Sequence, residues 1–212
     1  MHFVLVLWYK EIVQKRAKGD TFLVVYADDF ITGFQYKYEA EAYYEALKNR
    51  MSKFGLELEE SKSRLLEFGR YAEGNRKARG ERKPETFDFL GFTFYCSKSR
   101  SGRFSVKLKT SKKKFRQKVK AMKVWLYQNR DIKVSDLMEQ VKIKLIGHYR
   151  YYGISHNGRM ISCFRQRTID FLYKILNRRS HKKSYTVEGF KEMLKVYKLP
   201  YPKIYISLFD WK

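Results

Sequence analysis

Two adjacent carboxylates, Asp28 and Asp29, stand between two apolar runs, Phe22-Leu23-Val24-Val25-Tyr26 and Phe30-Ile31-Thr32-Gly33-Phe34. Runs this rich in β-branched and aromatic residues, broken by a short acidic pair, predict an antiparallel hairpin with the acids at its turn. Neighbouring carboxylates repel each other, and a divalent cation removes that cost. Oxygen ligands suit Mg²⁺, with Mn²⁺ able to replace it. The chemistry open to such a pair is phosphoryl transfer, in which the cation activates an attacking hydroxyl and steadies the departing phosphate. The plain alternative is a solvated turn, because Asp favours turns without any metal.

The elements around this pair follow from hydrophobic spacing. Residues from about 3 to 17 form a helix with Phe3, Leu7 and Ile12 near one face, stopped by Gly19 and Asp20. Ala40, Tyr43, Leu47, Met51 and Phe54 recur at three-to-four spacing and predict a second helix, ending at Gly55. Leu56–Glu59 and Arg64–Phe68 read as two short strands, which makes the front half α+β. Arg70 to Lys83, with Gly74 and Gly80 among its basic residues, reads as a flexible loop. Phe87–Tyr95 and Phe104–Leu108 flank a turn of Lys, Ser, Arg and Gly, which suggests a second hairpin.

The back half is helical. Phe115, Val119, Met122 and Leu126 share a face, with Thr110 or Ser111 as N-cap. Val134, Leu137, Val141, Leu145 and Tyr149 repeat the pattern, as do Ile161, Phe164, Phe171, Leu172 and Ile175. A shorter helix covers about Val187–Tyr197, and Pro200 and Pro202 end helical structure.

Charge divides the chain as clearly as pattern does. The formal net charge of the 212 residues is +24. Residues 1–95 carry 16 basic and 15 acidic side chains, whereas 96–212 carry 30 and 7. A back half so basic resists compaction unless a polyanion neutralises it, so nucleic acid is the expected partner. Lys112, Lys113, Lys114, Arg116, Lys118, Lys120 and Lys123 crowd one helix and would meet phosphates. No apolar run approaches the roughly 20 residues of a spanning helix, so no membrane partner is expected. Cys96 and Cys163 form no CxxC or CxxH pattern, which argues against a zinc site or a disulfide scaffold and for a reducing, cytoplasmic compartment.

Four ordered segments carry a resemblance. Tyr26-Ala27-Asp28-Asp29 resembles the catalytic box of reverse transcriptases, and its flanks look like the group II intron-encoded class. The similarity continues through Gly55-Leu56-Glu57-Leu58 with Lys62, through Phe89-Leu90-Gly91-Phe92-Thr93, and through Gly147-His148-Tyr149-Arg150-Tyr151-Tyr152-Gly153. Tyr205-Ile206-Ser207-Leu208 resembles the usual ending of such proteins. The resemblance implies a partial polymerase palm over residues 1–97, an antiparallel sheet with helices, followed over 98–212 by an all-α thumb bundle, also called the maturase domain or domain X.

By position, Asp28 matches the metal-binding aspartate and Asp29 its neighbour. Lys62 matches the lysine that protonates the leaving pyrophosphate, although a turn lysine fits the local residues equally. Phe89, Leu90, Gly91 and Phe92 match the hairpin that supports the primer end, and Gly91 would let the backbone approach closely. Of the helical box, His148, Tyr149, Tyr151 and Tyr152 are expected to pack the bundle with Arg150 outward, toward nucleic acid.

The resemblance further implies Mg²⁺ or Mn²⁺, an RNA template, intron RNA, a DNA primer and deoxynucleotides, in a bacterial-type cytoplasm. The family's earlier metal-binding aspartate has no counterpart in context, since neither Glu11 nor Asp20 matches it. The expectation is a C-terminal part of such a polymerase that needs the fingers and upstream palm for activity. The competing expectation is a non-enzymatic RNA-binding maturase module.

Overall fold

The structure, a computed structural model, describes residues 2–59, 61–179 and 185–208. It is α+β, with small antiparallel sheets and helices, and it divides into two compact units, Met1–Phe68 and Gly69–Lys212. The sequence division at 97/98 is one of charge and motif. By packing, the second hairpin goes with the helices that follow it.

The first unit opens on π-helical turns, His2–Leu7 and Tyr9–Val13, that run into one α-helical turn, Gln14–Arg16 (α1). The wider winding of a π-helix moves the buried stripe. Val4, Leu5 and Tyr9 are buried, while Phe3 and Ile12 of the expected face are exposed. Strand β1, Thr21–Tyr26, pairs antiparallel with β2, Asp29–Phe34. Helix α2, Lys37–Lys53, covers one face of this hairpin with Tyr43, Leu47 and Met51, and Gly55 follows it at φ 65°.

Tyr43 organises that core. Its ring stacks on Trp8 at 5.5 Å and tilts against Phe34 at 5.0 Å, and its oxygen accepts from the Thr32 hydroxyl. Burial pushes the Tyr43 hydroxyl up to about 12. The residues after α2 do not pair as strands: 56–59 and 64–68 are irregular. Their apolar side chains are too few and too interrupted by charge to hold a ladder.

In the second unit the basic stretch after Gly69 is not an open loop. It forms helix α3, Ala72–Ala78, because Arg76 finds Glu81 and Glu85, and Arg79 finds Glu81. The expected strand Phe87–Tyr95 breaks at Leu90-Gly91 into β3, Phe87–Phe89, and β4, Phe92–Lys98. With β5, Phe104–Thr110, they make a three-stranded antiparallel sheet of order β3-β4-β5. Its inner side chains Phe92, Phe94 and Leu108 join the helical core.

The helices match the predicted periodicity: α4 Lys112–Gln128, α5 Val134–Tyr152, α6 Gly158–Leu176 and α7 Val187–Tyr197. Ser111 caps α4 by accepting from the Lys114 amide. Leu126, Leu137, Val141, Leu145, Leu172 and Leu176 fill the interior. Beyond Pro200 the chain returns to the end of α5, where Ile206 bridges Ile154 in parallel and the Tyr205 amide donates to the Gly153 carbonyl at 2.6 Å.

Asn157 ties sheet to bundle. It is fully buried; its Oδ1 accepts from the Thr110 amide at 2.7 Å, and its Nδ2 donates to the Tyr152 carbonyl at 2.8 Å and to the Thr110 hydroxyl at 2.8 Å. Asn157→Ala takes the partner from the buried Thr110 amide and hydroxyl, which is expected to cost about 2–4 kcal/mol. A urea midpoint unchanged in that variant would refute the role.

His148 stacks on Phe164 at 3.7 Å, with Nε2 buried and unpartnered among the described residues. Burial first, and then the positive Lys118, pushes its imidazole down from 6.5 to about 4. The unfolded chain therefore takes up a proton near pH 6.5 that the folded chain refuses until about pH 4. This contribution is complete above pH 6.5 and is lost as pH falls toward 4, on the order of 3 kcal/mol in all. Denaturation of the wild type is expected to show that loss, and His148→Phe to lack it.

Candidate catalytic hairpin and nucleic-acid interface

The register pairs Tyr26 with Asp29 and Val25 with Phe30, so Ala27 and Asp28 are the two loop residues. Asp28 sits in the turn and Asp29 opens β2, which places both exposed carboxylates at the tip. Ala27 has φ 52°, in the left-handed region that a residue with a Cβ seldom occupies. A tight two-residue connection demands such a conformation, and strain of this kind gathers at functional turns.

Alternation along β1 sends Leu23 and Val25 toward α2 and leaves Phe22, Val24 and Tyr26 on the other face, 56%, 46% and 63% exposed. Gly33 lies directly under the Phe22 ring, where a Cβ would come within 2.2 Å of it. Tyr26, Val24 and Phe22 thus form an uncovered apolar stripe that leads to the aspartates. Among the described residues this sheet has two strands, so each keeps an unpaired edge.

Lys62 lies in the turn after α2, where its ammonium pairs with Glu59 at 3.2 Å and stays largely exposed. Hydrogen bonds from Ser61 and then Lys62 hold the Glu59 carboxyl below its ordinary value. No hydrogen bond or ion pair joins Lys62 to Asp28 or Asp29 among the described residues. Nor, among the described residues, do three His, Cys, Asp or Glu side chains gather there as a metal-binding group. Asp28 and Asp29 suit one hydrated Mg²⁺, which keeps several waters and needs only one or two carboxylates. They fall short of a two-cation centre.

In the second unit Leu90 and Gly91 form a two-residue turn, both with left-handed φ, 49° and 81°. The Gly91 carbonyl accepts from the Ser111 amide at 2.9 Å, and the Leu90 carbonyl accepts from the Tyr151 hydroxyl at 3.1 Å. Phe92 lies parallel to Tyr151 and edge-on to Tyr152. The Phe89–Phe92 turn is therefore held by the end of α5 and the start of α4. His148, Tyr149 and Tyr152 are buried and Arg150 points outward, but Tyr151 is a surface ring, 55% exposed, rather than bundle interior.

The basic residues of α4 are all exposed, but they do not share one direction. Lys112, Lys113, Arg116 and Lys120, with Gln117, line an open groove whose other wall is Asp88 of β3. Lys114 lies over Gly91, and Lys118 is close enough to act on His148. Lys123 lies further along the helix and is exposed. Asp88 and Asn157 escape a reading of the sequence. Asn157 stands at the N-cap position of α6, yet its side chain makes no cap hydrogen bond.

Residues 1–94 match the family model described as reverse transcriptase (RNA-dependent DNA polymerase), less than half of the 212 residues. The matched span includes the Asp28-Asp29 hairpin, Lys62 and Phe89–Phe92. No curated protein and no solved structure matches the chain. No described helix is long and apolar enough to cross a membrane.

Replacing Lys112, Lys113 and Arg116 together by alanine is expected to weaken binding to an RNA duplex. It should also lower the slope of log K against log salt by roughly 2–3, at about 0.7–0.9 per phosphate contact. An unchanged slope would remove this face from the interface.

Proposed function

We propose that the chain is part of a group II intron-type reverse transcriptase: palm over residues 1–97, thumb over 98–212. The observation that carries this reading is the strained hairpin tip that presents Asp28 and Asp29 at the end of an apolar stripe, within the span that matches the reverse transcriptase model. In that role Asp28 and Asp29 hold Mg²⁺, which supplies charge neutralisation at the reacting phosphates when bound. Lys62, once released from Glu59, donates a proton to the departing pyrophosphate. The Phe89–Phe92 turn sets the primer end, and the cations of α4 with Arg150 grip the template–primer backbone. The carboxylate set is completed by a further palm segment, which also covers Phe22, Val24 and Tyr26 and pairs with an open strand edge.

A second reading, an RNA-binding maturase module that assists intron splicing, is favoured by the two-carboxylate donor set and by the basic second unit. Primer extension on an RNA template with deoxynucleotides separates the two. The chain alone should extend poorly, and addition of a fingers and upstream-palm segment should restore extension. Asp28→Ala should then reduce it by ~10³-fold or more, the size that several kcal/mol of lost charge stabilisation implies. Failure of the supplemented chain to extend would leave the maturase reading in place. Efficient extension by the chain alone would refute the incomplete carboxylate set.

A further inference from the structure

We infer that the groove between β3 and α4 distinguishes RNA from DNA, with Asp88 accepting a hydrogen bond from a ribose 2′-hydroxyl while the surrounding cations hold the flanking phosphates. This rests on the reading that the basic unit binds a nucleic-acid backbone, and it assigns a residue that neither motif nor charge picked out.

The groove, about 530 Å³, is lined by Lys112, Lys113, Arg116, Gln117 and Lys120 on α4 and by Asp88 on β3. Four cations on one helical face meet phosphates well, and a carboxylate among them opposes phosphate binding by simple repulsion. A groove built for phosphate alone would not hold one. Nor does Asp88 neutralise its neighbours: among the described residues no ion pair or hydrogen bond joins it to any of the four cations.

Among the described residues its side-chain partner is the Thr93 hydroxyl, which sits opposite it in the β3–β4 register and donates to Oδ1. That bond fixes the carboxylate on a paired strand and leaves Oδ2 free to accept. An ionised Asp only accepts, so its ligand must be a donor. Along a polynucleotide backbone between two phosphates, the donor that RNA has and DNA lacks is the 2′-hydroxyl. The exposed side chain keeps Oδ2 open to an incoming ribose.

The test uses the full chain and a short blunt RNA duplex, compared with the same duplex carrying 2′-fluoro riboses. The fluoro duplex keeps A-form shape and loses the donor. Fluorescence anisotropy should show the wild type binding the RNA duplex roughly ten- to a hundredfold more tightly, the size of one hydrogen bond to a charged acceptor. Asp88→Ala should bind the two duplexes alike. Asp88→Asn, which can keep the Thr93 bond, should fall between and serves if the alanine variant does not fold. Lys113→Ala should weaken both duplexes equally and leave the ratio intact. A wild type that binds both alike, or a ratio unchanged by Asp88→Ala, overturns the inference and leaves the backbone-binding reading standing. Binding of neither duplex overturns both.

Discussion

The second unit depends on one buried amide. Asn157 is fully buried, and its donor and its acceptor are both met by backbone from two different elements, the end of β5 and the end of α5. Desolvated polar groups left without partners are costly, so the geometry in which all of them are satisfied is strongly preferred. Thr110 is thereby fixed. Ser111, the next residue, caps α4 through its side chain and donates its amide to Gly91. The start of the basic helix and the Phe89–Phe92 turn are set by the same few atoms.

That chain of contacts explains why segments far apart in sequence belong together. The turn at Leu90-Gly91 meets Tyr151 and Tyr152 on the last turn of α5, and the chain just beyond that turn receives the segment around Tyr205 and Ile206. Gly153 is the point of closest approach. A Cβ there would lie 2.3 Å from the Tyr149 carbonyl and 2.4 Å from the Lys203 carbonyl, both backbone atoms that cannot turn aside. Its φ of −78° is ordinary, so space and not conformation requires the glycine. Lys198 ends α7 in the left-handed region, and the Pro200 carbonyl then accepts from Arg165 and Tyr149, which steers the chain back.

What could be read from the residues follows the range of the forces involved. Helices α2 and α4 to α7 were legible because their stripes are set by near neighbours, and the acidic hairpin tip because two apolar strands flank it. The N-terminal helix was legible as a helix but not in its buried face, since π-winding carries the stripe from Phe3 and Ile12 to Val4, Leu5 and Tyr9. Helix α3 was hidden by its basic composition, because the acids that neutralise Arg76 follow the helix, at Glu81 and Glu85. Asp88 and Asn157 were invisible for a different reason. Each is an ordinary polar residue whose meaning comes from an element reached only through folding, α4 in one case and β5 in the other.

The carboxylate pair sits in the smaller of the two units. Metal and nucleotide chemistry needs ligands held to within fractions of an ångström, by strands whose own positions are over-determined. The second unit meets that standard at the Phe89–Phe92 turn, which is held by two hydrogen bonds from helices and by two tyrosine rings. The Asp28-Asp29 tip has one hairpin behind it, with one face on α2 and the other bare. A two-stranded ribbon with an open face is marginal in water and twists freely at its end. The strain at Ala27 adds to the tendency to relax. Covering Phe22, Val24 and Tyr26 would remove apolar surface from water and stiffen the tip in the same step, since the side chains to be covered alternate along the strand that ends at the aspartates. Rigidity at the carboxylates and burial of that stripe would therefore be one event, because the exposed side chains and the acidic tip belong to the same strand pair.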